Sequence, residues 1–315
     1  MIFSGQTPIV TLTLNPCVDV SYDVPQLLAD QKAHALAARL DPGGNGINVA
    51  RALSRLHVSA WACATVAGEI GMLFERLLRG QVDHPHLVRL DGETRINATL
   101  LQQQPRAQFE VSAPGPTIDA ATLKRITAEV LALAGSGYAV LTGSRTPGVA
   151  ADYYAELTTA LRARNARAVV DSAGEALAQA VAAKPFLIKP NRYELEQLIG
   201  HALPTREEVI AAARVLHEQG VEWVCVSLGA QGAVLVGDEV FVGTSPEVEV
   251  VSTVGAGDSL VGGLVAAFAR DANPADALRL GLACGAGTST QPGTELFNPA
   301  QLPGLMERAE VKRLS

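Results

Sequence analysis

Short β-branched and aliphatic runs alternate along the chain with stretches in which apolar residues recur every three or four positions. IVTLTL (9–14), YAVLTG (138–143), RAVVDS (167–172), FLIKPN (186–191) and EWVCVSL (222–228) have the length and residue types of buried strands. The segments 119–134, 151–164 and 205–219 carry the helical period. The last opens on Thr205-x-x-Glu208, a pair whose side chains can each accept the other residue's unpaired peptide N–H. Strand–helix alternation predicts right-handed crossovers and a parallel sheet with helices on both faces. GAVLVGDEVFVG (232–243) reads instead as an antiparallel hairpin turned at Gly237-Asp238, with two helices finishing the fold.

Two stretches break the alternation. Residues 20–40 and 88–113 are more polar and extended, and Arg95–Leu101 alternates residue by residue. They predict a small β-sheet lid, contributed discontinuously, beside one large α/β unit of residues 1–19, 41–87 and 114–315.

The 315 residues are 48% hydrophobic and 18% charged, enough for a substantial core and too apolar for wholesale disorder. A net charge of -7 argues against a general nucleic-acid or anionic-membrane binder. Any anionic ligand must therefore be held by a few local groups. No apolar run reaches the ~18 residues of a membrane span, and the start lacks a basic segment and a cleavage site. Cys17, Cys63, Cys225 and Cys284 are far apart, with no metal-binding spacing. A soluble cytoplasmic protein without disulfides or a cysteine metal site is expected.

One apolar segment raises a chemical question. VSTVGAGDSLVGGLVAAFA (251–269) holds a single charged side chain, Asp258, directly after Gly255-Ala256-Gly257. The first N–H groups of a helix lack internal acceptors and carry partial positive charge, and glycines before them let a phosphate approach. A carboxylate at that point could accept a hydroxyl proton during phosphoryl transfer. It could equally be an ordinary Asp N-cap. Neither GxGxxG nor GxxxxGK[ST] occurs, so neither a dinucleotide fingerprint nor a conventional P-loop is present.

LNPCVD (14–19), PGGNGINVAR (42–51), GSRTPG (143–148), VDSAGEAL (170–177), KPNRYELEQL (189–198), VSLGAQGA (226–233) and TVGAGDS (253–259) occur in that order. Together they resemble the ribokinase-like carbohydrate kinases, in particular the phosphofructokinase B branch, from about residue 11 to 295. The resemblance implies a Rossmann-like α/β sandwich with a small β-sheet lid, and transfer of the γ-phosphate of ATP to a sugar hydroxyl. It makes Asp258 the general base and Gly255, Ala256 and Gly257 the anion hole. Lys189 corresponds to a triphosphate contact, and Ser227, Gly229, Gly232 and Val254 border the nucleotide. Asn191 and Glu194 match an element that organises water around Mg²⁺; a capped helix start with a solvated Glu is the simpler account of the same four residues. Ser252, Val254 and Gly293 correspond to a monovalent-cation (K⁺) site, although Glu295 stands where relatives carry a basic residue.

For the sugar, the resemblance implies Asp19, Gly43, Gly44, Asn45, Gly46, Asn48 and Ser144 as contacts, with Lys32 and Arg95 holding a substrate phosphate. His34 replaces a further cation of the pattern, and Arg145 is expected to compensate by reaching that phosphate. Asn45, where other branches commonly carry Lys, tilts the reading towards a 6-phosphofructokinase, with 1-phosphofructokinase and tagatose-6-phosphate kinase as alternatives. The implied partners are ATP and a phosphohexose, and a second copy of the chain paired through the lid. A catalytically silent sugar-phosphate-binding regulator is the competing class; a nicotinamide-linked oxidoreductase is disfavoured by the missing fingerprint.

Overall fold

The computed structural model describes residues 7–314; residues 1–6 and 315 of the expected large unit lie outside it. The chain begins with β1 (Ile9–Thr13), β2 (Cys17–Val24), β3 (Ala37–Gly43), α1 (Asn45–Arg55), β4 (Trp61–Ala67) and α2 (Gly68–Leu78). It continues through β5 (His84–Leu90), β6 (Arg95–Gln102), β7 (Ala107–Val111), α3 (Ala120–Ala134), β8 (Tyr138–Thr142) and α4 (Tyr153–Arg162). Then come β9 (Arg167–Asp171), α5 (Gly174–Ala182), β10 (Leu187–Ile188), α6 (Arg192–Ile199), α7 (Arg206–Glu218) and β11 (Trp223–Ser227). The remainder is β12 (Ala233–Val236), β13 (Val240–Gly243), α8 (Ala256–Phe268), α9 (Pro274–Ser289), α10 (Leu302–Arg308) and β14 (Val311–Leu314).

The described strands form a ten-stranded sheet, β14-β13-β12-β11-β10-β9-β8-β1-β4-β5, and a four-stranded sheet, β3-β2-β6-β7. From β5 to β11 the large sheet is parallel; the last three strands are antiparallel. Alternating side chains divide its core in two. Val10, Leu12, Leu141 and Val170 face α3 to α7, whereas Ile9, Tyr138, Val140 and Val169 face α1, α8 and α9. A fold of mixed α/β class, largely parallel and covered on both sides, is what the alternation of runs predicts.

Strand order reverses beside β1, whose neighbours are β4 on one side and β8 on the other. Loops leaving the carboxyl ends of such strands diverge and open a crevice. Asn15, Ser144 and Asp171 all leave strands at this point.

Several boundaries differ from those expected. Val88–Leu90, expected in the small sheet, pair with Thr65–Ala67 in the large one. Cys17–Asp19 and Asp41–Gly43, expected in the large unit, belong to the small sheet, because β2 and β3 run without a break through the LNPCVD and PGGNGINVAR motifs. The chain also does not end on two helices: α10 and β14 follow, and β14 pairs with β13 at the sheet edge. Thr205 and Glu208 form the expected reciprocal cap.

Helix α8 is buried along its whole length from Asp258 to Phe268. Such depth requires close neighbours, and the glycines supply it. A Cβ on Gly262 would stand 2.7 Å from the Ala52 Cβ of α1, and one on Gly263 would stand 2.7 Å from the Gly281 Cα of α9. Gly263→Ala is therefore expected to lower stability by about 1–3 kcal/mol despite alanine's better helix propensity. Urea denaturation checks this; a midpoint at or above that of the wild type would contradict the packing argument.

Candidate active site

Helix α8 starts at a turn that no side chain caps. Gly255 occupies the N-cap position at φ 77°, in the left-handed region that glycine tolerates. The turn is tied back on itself: Val254 N–H donates to Ser252 Oγ at 3.3 Å, and Ser252 Oγ–H donates to the Gly293 carbonyl at 3.0 Å. The Ala256 N–H is directed at the Thr253 carbonyl at 3.3 Å. Gly257 leaves room around itself, since a Cβ there would first meet Lys189 Nζ at 3.5 Å.

Asp258 does not serve as the helix cap. Its side chain points to α1, where Asn45 Nδ2 donates to Oδ1 at 3.0 Å and Asn48 Nδ2 donates to Oδ2 at 2.8 Å. It is 5% exposed and is in no ion pair among the described residues. Burial first, and then the nearby negative charge of Asp171, push its pKa up to about 6; the two amides and Lys189 work in the opposite direction.

Three cavities lie near this carboxylate, which itself lines the first; Gly257, next to it in the chain, lines the second, and Asn45, its hydrogen-bond partner, lines the third. One of about 390 Å³ is lined by Cys17, Asp19, Asn48, Arg95, Asn97 and Asp258, together with Gly44, Asn45, Ser144, Val254 and Gly255. A second, about 660 Å³ and mostly apolar, lies across the turn against Asn191, Ser227, Gly229, Gly232, Ala256 and Gly257. A third, about 690 Å³, shares Asn45 and Ser144 with the first and adds Arg145, Asp171 and Glu194.

Lys189 is buried, and its Nζ lies 3.2 Å from Oδ1 of Asp171, which lines the third cavity. Burial disfavours the ammonium, but the charges of Asp171 and Glu194 outweigh it and hold the Lys189 pKa above its usual value. Asp171 itself is raised, chiefly by burial. Asp171, the partner of Lys189, falls in the VDSAGEAL motif at a strand end but was given no role from the sequence. Asn97 and Thr294 were missed as well. They donate to Asp19 Oδ1 at 3.3 Å and to Oδ2 at 3.0 Å, while Cys17 Sγ donates to Oδ1 at 3.0 Å. Burial raises the Asp19 pKa, against the pull of these hydrogen bonds.

Asn191 and Glu194 form a complete capping box at the start of α6: Glu194 N–H donates to Asn191 Oδ1 at 2.9 Å, and Asn191 N–H donates to Glu194 Oε2 at 2.8 Å. The Asn191 oxygen thus accepts in the cap, the simpler of the two accounts offered by the sequence, and keeps one lone pair for a water. Glu194 Oε1 remains beside Asp171 on the same cavity. Two carboxylates there suit a hard cation that keeps most of its water, as Mg²⁺ does at phosphates. No denser His, Cys, Asp or Glu cluster occurs among the described residues.

Other expected residues disperse. Lys32 and His34 are exposed between β2 and β3 and line none of the three cavities. Arg95 does face the sugar-sized cavity, and its guanidinium donates to the Asn15 carbonyl at 2.9 Å and the Ala113 carbonyl at 3.2 Å. Arg145 donates to the Val149 carbonyl at 2.9 Å and lines the cavity of Asp171 and Glu194, not that of Asp19 and Arg95. Ser144 accepts from Asn15 Nδ2 at 3.1 Å. Gly43 and Gly46 are close-approach positions: a Cβ would overlap Asp19 at the first and Thr13 Oγ1 at the second. Glu295 is paired with Arg39 and Arg55. Its negative charge, unexpected in the sequence, is therefore balanced locally.

A carboxylate held at about 6 instead of 3.8 costs the folded state about 3 kcal/mol at neutral pH. The sign follows from proton binding: between those values the native form holds a proton that the unfolded chain has lost, so stability falls as pH rises and the full cost is present above about 6. Asp258→Asn is expected to raise the melting temperature at pH 8 and to lose that advantage as pH falls from 6 towards 4. Calorimetry at several pH values checks it; a pH-independent difference would contradict the burial argument.

The chain is similar to known proteins along nearly its whole length. Residues 8–301 match the pfkB family carbohydrate kinase model. The chain is 36% identical over 298 residues to a 1-phosphofructokinase of Bacillus subtilis (strain 168), spanning 94% of this chain and 97% of that protein. It is 34% identical over 291 residues to the ATP-dependent 6-phosphofructokinase isozyme 2 of Escherichia coli (strain K12), covering 91% and 94%. The crystal structure of phosphofructokinase-2 from Escherichia coli in complex with potassium superposes with a TM-score of 0.90 at 32% identity, over 96% of this chain and 98% of that one. The chain belongs to the pfkB family of carbohydrate kinases and is an ATP-dependent sugar kinase.

Proposed function

We propose that this kinase is a phosphofructokinase that transfers the terminal phosphate of ATP to the C1 hydroxyl of fructose 6-phosphate. The observation that carries the reading is the position of Asp258, which lines the cavity of Asp19 and Arg95 while Gly257, the residue before it, lines the apolar cavity. A nucleotide base and ribose fit the apolar side, with the triphosphate running to the α8 N terminus. The sugar hydroxyl faces Asp258, which accepts its proton as charge spreads over the transferring phosphoryl oxygens. Lys189 counters the polyphosphate charge, and Glu194 and Asp171 would hold a hydrated Mg²⁺ that would supply further positive charge there. Asp19, fixed by Cys17, Asn97 and Thr294, accepts from ring hydroxyls. Arg95 holds the far phosphate, and Arg145 lies on the polyphosphate side.

Fructose 1-phosphate is the second reading. β-Fructofuranose carries a CH₂O group at each end of its ring, so either phosphate ester could present a primary hydroxyl to Asp258, and relatives named for both reactions match this chain. Asn45, where the other branches commonly carry Lys, is what favours fructose 6-phosphate, and its amide also donates to Asp258. Ser252 and Gly293, whose oxygens meet beside the turn, support a K⁺ site like that of the Escherichia coli potassium complex.

The small sheet supports pairing with a second copy. Tyr22, Leu100 and Phe109 stand in one cross-strand row, and Tyr22, Leu40, Ile96, Phe109 and Val111 are exposed large apolar side chains. Sedimentation equilibrium is expected to give a dimer that Phe109→Asp dissociates; a monomeric wild type would contradict this.

Phosphorus NMR tests the reaction itself. Incubated with MgATP and K⁺, the protein is expected to convert fructose 6-phosphate to fructose 1,6-bisphosphate faster than it converts fructose 1-phosphate. Faster use of fructose 1-phosphate would reverse the substrate assignment. Asp258→Asn is expected to lose about 10²–10⁴ in turnover with the KM for ATP within about threefold. In the wild type, kcat/KM should fall tenfold per pH unit below about 6, where the free enzyme's Asp258 takes up its proton. Near-normal turnover in Asp258→Asn would remove the base assignment.

A further inference from the structure

One of the amides that hold Asp258 is itself held, by an arginine buried without a paired carboxylate. Arg51 lies one helical turn beyond Asn48 on the same face of α1 and is 1% exposed. Its Nη1 donates to Asn48 Oδ1 at 3.2 Å, to the Pro42 carbonyl at 3.3 Å and to the Thr294 carbonyl at 3.0 Å. Its Nε donates to Gln81 Oε1 at 2.7 Å. Among the described residues Nη2 has no acceptor and Arg51 is in no ion pair, because Glu295, the carboxylate that acts on it most, is engaged by Arg39 and Arg55. A buried guanidinium that no carboxylate pairs with directly is costly, and what it gains is a set of directional hydrogen bonds.

Direction matters at Asn48. The two ends of a side-chain amide have almost the same shape, but one donates and the other accepts. A guanidinium can only donate, so with Arg51 on Oδ1 the amide presents Nδ2 to Asp258. If the amide turned over, Oδ1 would face a carboxylate oxygen, and two acceptors would repel. The carboxylate would then rotate away or retain a proton. Either would remove it from a reacting hydroxyl.

We propose that Arg51 is a positioning residue for phosphoryl transfer: it sets the orientation of the Asn48 amide and, through it, the orientation of the Asp258 carboxylate towards the acceptor hydroxyl. This rests on the reading of Asp258 as the base. The arginine touches neither substrate cavity, so its effect falls on turnover and not on ground-state binding.

A double-mutant cycle in the full-length protein distinguishes this role from that of a structural prop. Steady-state kinetics with MgATP and fructose 6-phosphate are compared for the wild type, Arg51→Met, Arg51→Lys, Asn48→Ala and the double variant Asn48→Ala/Arg51→Met. Fructose 1-phosphate is used if it proves the better acceptor. Arg51→Met is expected to lower kcat at least about tenfold with both KM values within about twofold, and Arg51→Lys to recover part of the loss. In the Asn48→Ala background, Arg51→Met should change kcat by less than about twofold, because no amide remains to orient. Equal losses in both backgrounds, an unchanged kcat, or a loss confined to KM would overturn the proposal. If thermal melts show that Arg51→Met does not fold, the Arg51→Lys cycle is read by the same criteria. Asp258→Asn run in parallel separates the two claims. An active Asp258→Asn removes the base itself, whereas an inactive one beside an unimpaired Arg51 variant removes only the role given to Arg51.

Discussion

A carboxylate kept out of water by neutral amides, with no cation bonded to it, is the interaction around which this molecule is arranged. Asp258 accepts from Asn45 and Asn48 and has only the more distant charge of Lys189 in its favour, with Asp171 opposing. An ion pair would have stabilised it more and tied it down. The amides restrain its direction while leaving its charge available. The rest of the fold supplies what such an arrangement needs: a buried helix start, a second helix close enough to deliver two amides, and a glycine-lined crossing of α8 with α1 and α9 that permits the approach.

Topology explains why the cavities converge there. The reversal of strand order beside β1 opens the crevice, and β8 and β9 deliver Ser144 and Asp171 to its edge. The antiparallel extension from β11 to β13 places Ser227, Gly229 and Gly232 beside α8 and forms the apolar wall. The small sheet turns one face of alternating residues, Cys17, Asp19, Arg95 and Asn97, over the opposite side. The two sides thus differ in chemistry. One is apolar and suits a flat heterocycle, whereas the other is dense in fixed hydrogen-bonding groups and suits a polyol.

Much of this was legible in the sequence wherever one residue type can do only one job. The GAGD turn before an apolar helix marked the helix start, and the Thr205–Glu208 spacing marked a cap that the structure forms. Legibility failed where a residue does two jobs or acts through distant neighbours. Asn191 and Glu194 fit a metal element and a cap equally well, and the cap takes the asparagine oxygen. Asn45 read as a marker of substrate choice, and its second job, holding Asp258 across 213 residues of chain, had no local signal. Asp171 sat in a recognised motif without a role, because its importance comes from Lys189, brought beside it by adjacent parallel strands. Strand β14 was invisible for a different reason: four residues of mixed character become a strand only when β13 offers its edge.

The central claim is geometric, and a crystal structure of the protein with a non-hydrolysable ATP analogue, Mg²⁺ and fructose 6-phosphate measures it directly. The terminal phosphate should lie within hydrogen-bonding distance of the Gly257 N–H, with the primary sugar hydroxyl on Asp258, in line between the two. A terminal phosphate seated away from the 254–257 turn, or a sugar whose hydroxyls leave Asp258 bonded only to Asn45 and Asn48, would contradict the account.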